Sequence, residues 1–128
     1  MSVRPRPLSP HLQIYRWTIT MAMSIAHRAT GIGLYAGTAL LVLWLGAAAG
    51  GQQALDVVNA VYGSWFGQLV LFGFTWALFH HMLGGLRHFV WDLIIGMEPG
   101  QREALAWANL AGSIILTLLV WTVFVWVG

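Results

Sequence analysis

The stretch "FHHMLGGLRHFVWD", Phe79 to Asp92, ends a long apolar segment and places three histidines and an arginine within ten residues. Histidine inside a membrane span is rare and usually faces a bundle interior or a cofactor. Whether this segment crosses a bilayer therefore decides what the histidines are for. Working outward, three segments contain no Asp, Glu, Lys or Arg: Ala29 to Leu55, Val57 to Leu86 and Ala104 to Gly128. Each is longer than the roughly 20 apolar residues that cross a hydrocarbon core about 30 Å thick. With 59% apolar and 8% charged residues, the 128-residue chain is too hydrophobic for a soluble domain of its size. The reading is an all-α integral membrane bundle: a surface arm over residues 1–21, then a transmembrane domain over 22–128 with helices at about 23–49, 63–95 and 103–127.

Local breakers set those limits. Pro5, Pro7 and Pro10 in "MSVRPRPLSPHLQIYRWTITM" each lack an N–H donor and disfavour helix at the preceding residue. That segment reads as an arm on the membrane surface, with Tyr15 and Trp17 at headgroup depth. Gly50 and Gly51 end the first helix, "GGQQALD" reads as a loop, and "GMEPGQRE" reads as a turn with Pro99 and Gly100 as breakers. The last helix carries no ionisable group after Glu103 and is assigned packing or lipid contact without chemistry. Trp65, Trp121 and Trp126 at one border, with Trp17, Trp91 and Trp107 at the other, fit interfacial anchoring.

The charge is placed asymmetrically. Arg4, Arg6, Arg16 and Arg28 precede or open the first helix, Arg87 and Arg102 flank the second connection, and the first connection has none. The positive-inside rule puts the N-terminus and second connection in the cytoplasm and the C-terminus outside. Border arginines thus explain the basic balance without nucleic acid. Four arginines, three prolines and no short apolar run in the first 28 residues do not read as a cleavable signal peptide. Cysteine is absent, which excludes disulfides, thiol nucleophiles and iron–sulfur ligation by this chain.

His80 and His81 point about 100° apart on a helix, so the two cannot ligate one metal from the same face. Ala77 and Gly85, at i−4 and i+4 from His81, leave its face almost without side chains. A flat macrocycle can approach the backbone there while the imidazole reaches its iron. Arg87, His88, His27 and Arg28 are the donors available to anionic propionates near the cytoplasmic border. The competing account of either histidine is a neutral ring hydrogen-bonded to a neighbouring helix, and Gly84 and Gly85 equally serve close helix packing. No other histidine of the chain sits at the depth of His81 on a facing helix. A bis-imidazole heme would then need a ligand from a second membrane subunit. Ser24 and Arg28 lie at i and i+4 in "SIAHRATG". A hydroxyl and a guanidinium on one face suit a quinone whose carbonyl oxygens gain charge on reduction. Taken alone, the pair is more simply a capping serine and a border arginine.

These residues resemble the cytochrome b membrane-anchor subunits of succinate dehydrogenase, respiratory complex II. "RPLSPHL" (Arg6 to Leu12) with "SIAHRAT" (Ser24 to Thr30) is similar to that family's RP-x-SPHL-x-IY and S-x-x-H-R-x-[ST] pattern, and "HMLGGLRHFVWD" (His81 to Asp92) to its H-x-x-x-[GA]-x-R-H-x-x-x-D pattern. The resemblance implies half of a heterodimeric anchor that holds one heme b between two small membrane subunits. It implies His81 as the axial iron ligand, His27, Arg28 and His88 near the propionates, and Ser24 and Arg28 at ubiquinone. Asp92 falls on the motif's terminal acid, a balance for nearby arginine or histidine charge, and His80 falls on no assigned role. FAD and iron–sulfur clusters would belong to the partner flavoprotein and iron–sulfur subunits, so this subunit alone has no catalytic residue in the strict sense. The implied location is the bacterial inner membrane, with the catalytic subunits on the cytoplasmic side. The alternatives are the anchor of a quinol:fumarate reductase and a cofactor-free structural anchor.

Overall fold

The computed structural model describes residues 6–127, with side chains through Phe124; Arg4, Pro5 and the side chain of Trp126 lie outside the described residues. Its elements are α1 (Ile19–Gly50), α2 (Gln52–Gly63), α3 (Trp65–Asp92) and α4 (Pro99–Val127). Helices α1, α3 and α4 are each long and apolar enough to cross a membrane. At 32 residues, α1 is about 48 Å long at 1.5 Å per residue, longer than the hydrocarbon layer is thick. Helix α3 packs against α1 on one side and α4 on the other.

The ends follow from side-chain and backbone capping. Thr18 is extended and its side chain accepts from the Met21 N–H at 3.4 Å, so α1 begins at Ile19 rather than near Met23. In place of the loop that the sequence suggests, α2 forms. It is tied to α1 by Trp44 Nε1 donating to Asn59 Oδ1 at 3.0 Å and by the Tyr62 hydroxyl donating to the Leu40 carbonyl at 2.6 Å. Ser64 then caps α3, its Oγ accepting from the Gly67 N–H at 3.1 Å. A Cβ on Gly67 would collide with the Val61 and Tyr62 carbonyls, so this tight junction requires glycine.

Helix α3 stops at Asp92, short of the expected Ile95. Ile94 takes φ 59°, its N–H donates to Trp91 O at 2.8 Å and the Ile95 N–H donates to Val90 O at 3.2 Å. That pattern is a Schellman closure with isoleucine in the left-handed position usually held by glycine, at a cost of roughly 1–2 kcal/mol. Pro99, expected as a helix breaker within a turn, is instead the first residue of α4, and the Arg102 N–H donates to Glu98 O at 2.9 Å. A first helical position needs no N–H and favours the φ that proline already has.

The interior is small and polar while the exterior is large and apolar. Buried positions are Met23, Thr30 and Gly37 on α1, Gly67, Ala77, His80, Gly84 and Arg87 on α3, and Ala106, Asn109, Ser113 and Thr117 on α4. Phe66, Phe89, Ile115, Leu119 and Phe124 face outward. Lipid tails solvate apolar side chains as well as a protein core does, so close backbone approach and hydrogen bonding hold membrane helices together.

Candidate functional site

The two adjacent histidines of α3 turn to opposite neighbours. His81 faces α1: its ring stacks on that of His27 with centroids 4.0 Å apart and planes 6° apart. Its Nδ1 lies 3.1 Å from the His27 carbonyl oxygen and 3.5 Å from Thr30 Oγ1. Thr30 already donates to Ala26 O and His27 O at 2.9 and 3.0 Å. The bond to the carbonyl requires Nδ1 to carry the proton and donate, which leaves Nε2 as the electron-pair donor. Among the described residues Nε2 has no partner. Glycines make this approach possible, since a Cβ on Gly84 would run into the His27 ring and one on Gly31 would stand 3.1 Å from His81 Cε1.

Toward the start of α1 and the end of α3, Thr20, Ser24, His27, Arg28, Arg87, His88 and Trp91 line a cavity of about 270 Å³. The structure thus gathers Ser24, His27, Arg28 and His88 around one space, with His81 at its inner edge through the His27 stack. His88 lies 5.4 Å from the His27 ring and meets Trp91 edge-on at 5.3 Å. Arg87 is 6% exposed, and its guanidinium sits 4.9 Å from the Trp91 ring centroid. Its Nε and Nη1, together with His27 Nδ1 and Trp91 Nε1, are buried without a hydrogen-bond partner. A buried guanidinium lacking a counter-charge is costly, so this cavity suits an anionic or strongly hydrogen-bonding occupant. Trp91, expected as a border anchor, is part of the cavity wall. The sequence carries a signal for that: Arg87 and Trp91 are i and i+4.

On the other side of His81 the surface is bare. Gly33, Ala36, Gly37, Leu40, Val70, Gly73, Phe74 and Ala77 line an apolar cavity of about 340 Å³ between α1 and α3. A Cβ placed on Gly33, Gly73 or Gly85 would meet nothing within 4 Å. The stripe Gly73–Ala77–His81–Gly85 therefore offers a flat group backbone contact with one imidazole nitrogen free, and an unpartnered His27 nitrogen and Arg87 guanidinium at its polar end. The chemistry of these residues, a free imidazole nitrogen, open glycines and unpartnered cationic donors, would fit a heme. Among the described residues no three His, Cys, Asp or Glu side chains converge to hold a bare metal ion.

His80 faces α4. It is 1% exposed, its Nδ1 lies 3.4 Å from Asn109 Nδ2 and 3.5 Å from Ser113 Oγ, and Asn109 Nδ2 also approaches the His80 carbonyl at 3.4 Å. Asn109 and Ser113 thus give polar contacts to a helix to which the sequence assigns no chemistry. A polar residue every fourth position, from Asn109 through Ser113 to Thr117, marks that helix face.

Comparison with known proteins shows the family to which the chain belongs. The model of a family described as the succinate dehydrogenase/fumarate reductase transmembrane subunit matches residues 2–120. The chain is 43% identical over 119 residues to the succinate dehydrogenase cytochrome b556 subunit of Paracoccus denitrificans, covering 93% of this chain and 92% of that one. It is 33% identical over 116 residues to the cytochrome b556 subunit of Rickettsia felis, covering 91% and 90%. It is 38% identical over 117 residues to the mitochondrial cytochrome b560 subunit of Sus scrofa, covering 90% and 66%.

Proposed function

Since the chain belongs to the succinate dehydrogenase/fumarate reductase transmembrane subunit family, we propose that it is the cytochrome b anchor of a succinate dehydrogenase, sharing one heme b with a second membrane subunit and forming part of a ubiquinone-reducing site. His81 is the iron ligand through Nε2, and His27, Arg28 and His88 face the propionates. Ser24 and Arg28 bind the quinone. When bound, the heme supplies a one-electron carrier beside the quinone. The observation that carries this reading is the His81 Nδ1 contact with the His27 carbonyl at 3.1 Å: it frees the other ring nitrogen beside a glycine-bared surface.

The chain's own residues then do the following. The His27 carbonyl holds the imidazole in one tautomer and one orientation. Arg28 and Ser24 donate hydrogen bonds to quinone oxygens, and these strengthen as negative charge develops on reduction. Arg87, pinned on Trp91, supplies fixed positive charge to the same cavity. A partner flavoprotein subunit would hold the FAD for succinate oxidation, and a partner iron–sulfur subunit the clusters that would carry electrons to the membrane. The N-terminus and the catalytic partners lie on the cytoplasmic face of a bacterial inner membrane and the C-terminus in the periplasm, a topology supported by arginines at the start of α1, the end of α3 and the start of α4.

The test is the purified complex carrying Arg28→Leu, assayed with two acceptors. Quinone reduction falls while succinate oxidation with a water-soluble acceptor is retained. Equal activity with quinone in variant and parent contradicts the assignment of the site.

A further inference from the structure

His80 points about 100° around α3 from His81, toward α4, and takes no part in the cavity. It is nevertheless a polar ring buried to 1% exposure at bilayer depth, with Nε2 and the neighbouring Asn109 Oδ1 both unpartnered. A leucine would fill such an interface without burying a polar group, so the histidine needs another reason. We infer that His80 and Asn109 form a rotational lock, with Ser113, whose hydroxyl donates to the Leu110 carbonyl at 2.8 Å, packed against them: the Asn109 amide donating to His80 fixes α3 about its axis and thereby aims His81.

Helix α3 is held on two sides by contacts from consecutive residues, His80 to Asn109 and Ser113 on α4 at 3.4 and 3.5 Å and His81 to the His27 carbonyl of α1 at 3.1 Å. Consecutive side chains are about 100° apart on a helix, and a turn of about 20° displaces a ring nitrogen roughly 6 Å from the axis by about 2 Å. That displacement exceeds the tolerance of a hydrogen bond, so both sets of contacts coexist at one rotation only. Packing alone does not impose it. On the α1 side the fit is through glycines, with Gly84 against the His27 ring and Gly31 against His81. On the α4 side it is through Ala106, Ser113 and Thr117, and such small-residue surfaces allow helices to turn against one another. Trp76, with its ring 5.1 Å from that of His80, closes the same contact from within α3. His80 is thus a positioning residue for the ligand beside it, an inference that rests on the heme reading proposed above.

The experiment is electron paramagnetic resonance of the ferric heme, and its redox midpoint, in the purified complex. The parent is compared with His80→Leu, Asn109→Leu, the double variant and His80→Gln, which keeps a side chain able to hydrogen-bond Asn109. The low-field g value reports the orientation of the axial imidazoles. The expected result is a shift in the same direction for both single leucine variants, a shift in the double variant clearly smaller than their sum because the two share the His80 Nδ1–Asn109 contact, and a return toward the parent signal in His80→Gln. A role in stability alone would lower the yield of complex and leave the signal of the surviving complex unchanged; that outcome, or additive shifts, overturns the lock. Should His80→Leu not assemble, Asn109→Leu with a parent-like signal still overturns it. A parent complex with no b-type heme removes the underlying reading as well, and so is told apart from failure of the lock.

Discussion

The two sides of α3 solve different problems with the same residue type. Toward α4, His80 is enclosed by Asn109, Ser113 and Trp76 and is 1% exposed. Toward α1, His81 is held by one nitrogen only, beside glycines whose Cβ positions open on empty space and above a cavity lined by two arginines. A polar side chain buried in a bilayer marks either a contact between helices or a ligand site. What separates the two is whether the second polar atom of the ring is enclosed or presented.

The largest expected effect comes from adjacent glycines. Gly84→Leu drives a side chain into the His27 ring and separates α1 from α3, so the complex should be lost on solubilisation, as read by size-exclusion yield. Gly85→Leu meets nothing within 4 Å. It should leave the chain assembled with its partners but lower the heme-to-protein ratio, and equal heme content in variant and parent would show that the open glycine face does not hold the heme. Next, Arg28→Leu removes a charge-assisted hydrogen bond of about 1.5–3 kcal/mol, which corresponds to a roughly 10- to 100-fold loss of quinone reduction. Turnover with a soluble acceptor is the control. Ser24→Ala, which removes one neutral hydrogen bond of about 1 kcal/mol, should lower the same rate about 5-fold. The smallest change belongs to the α4 side. Ser113→Ala removes one long contact in a packed interface, and thermal unfolding of the complex should register about 0.6 kcal/mol or less.

Much of this is visible in the sequence for a simple reason. Charge-free runs of more than about 20 residues have few alternatives to a spanning helix, and the segment from Phe79 to Asp92 carries its own polarity pattern. The bareness of the His81 face is legible from Ala77 and Gly85 alone, because helical spacing places them one turn away. Helix α2 is not, since Gln52, Gln53, Asp56 and Asn59 read as a polar connection and its order depends on bonds from Asn59 and Tyr62 to distant residues of α1. The role of Pro99 turns on whether the chain before or after it is helical, which its own identity does not decide. The partners of His80 are hidden because hydrogen bonds across α3 and α4 join residues 29 and 33 positions apart, although the spacing from Asn109 to Thr117 offers half of the clue. His27 stacking on His81 has no sequence signal beyond both being histidine.

His81 is proposed to present Nε2 to iron from within the bilayer. A dithionite-reduced minus oxidised absorbance spectrum of the co-purified complex, with parent and His81→Leu compared at equal protein, tests it directly. The parent should show a b-type α band that His81→Leu loses or displaces. An unchanged band in the variant, or none in the parent, would contradict the account.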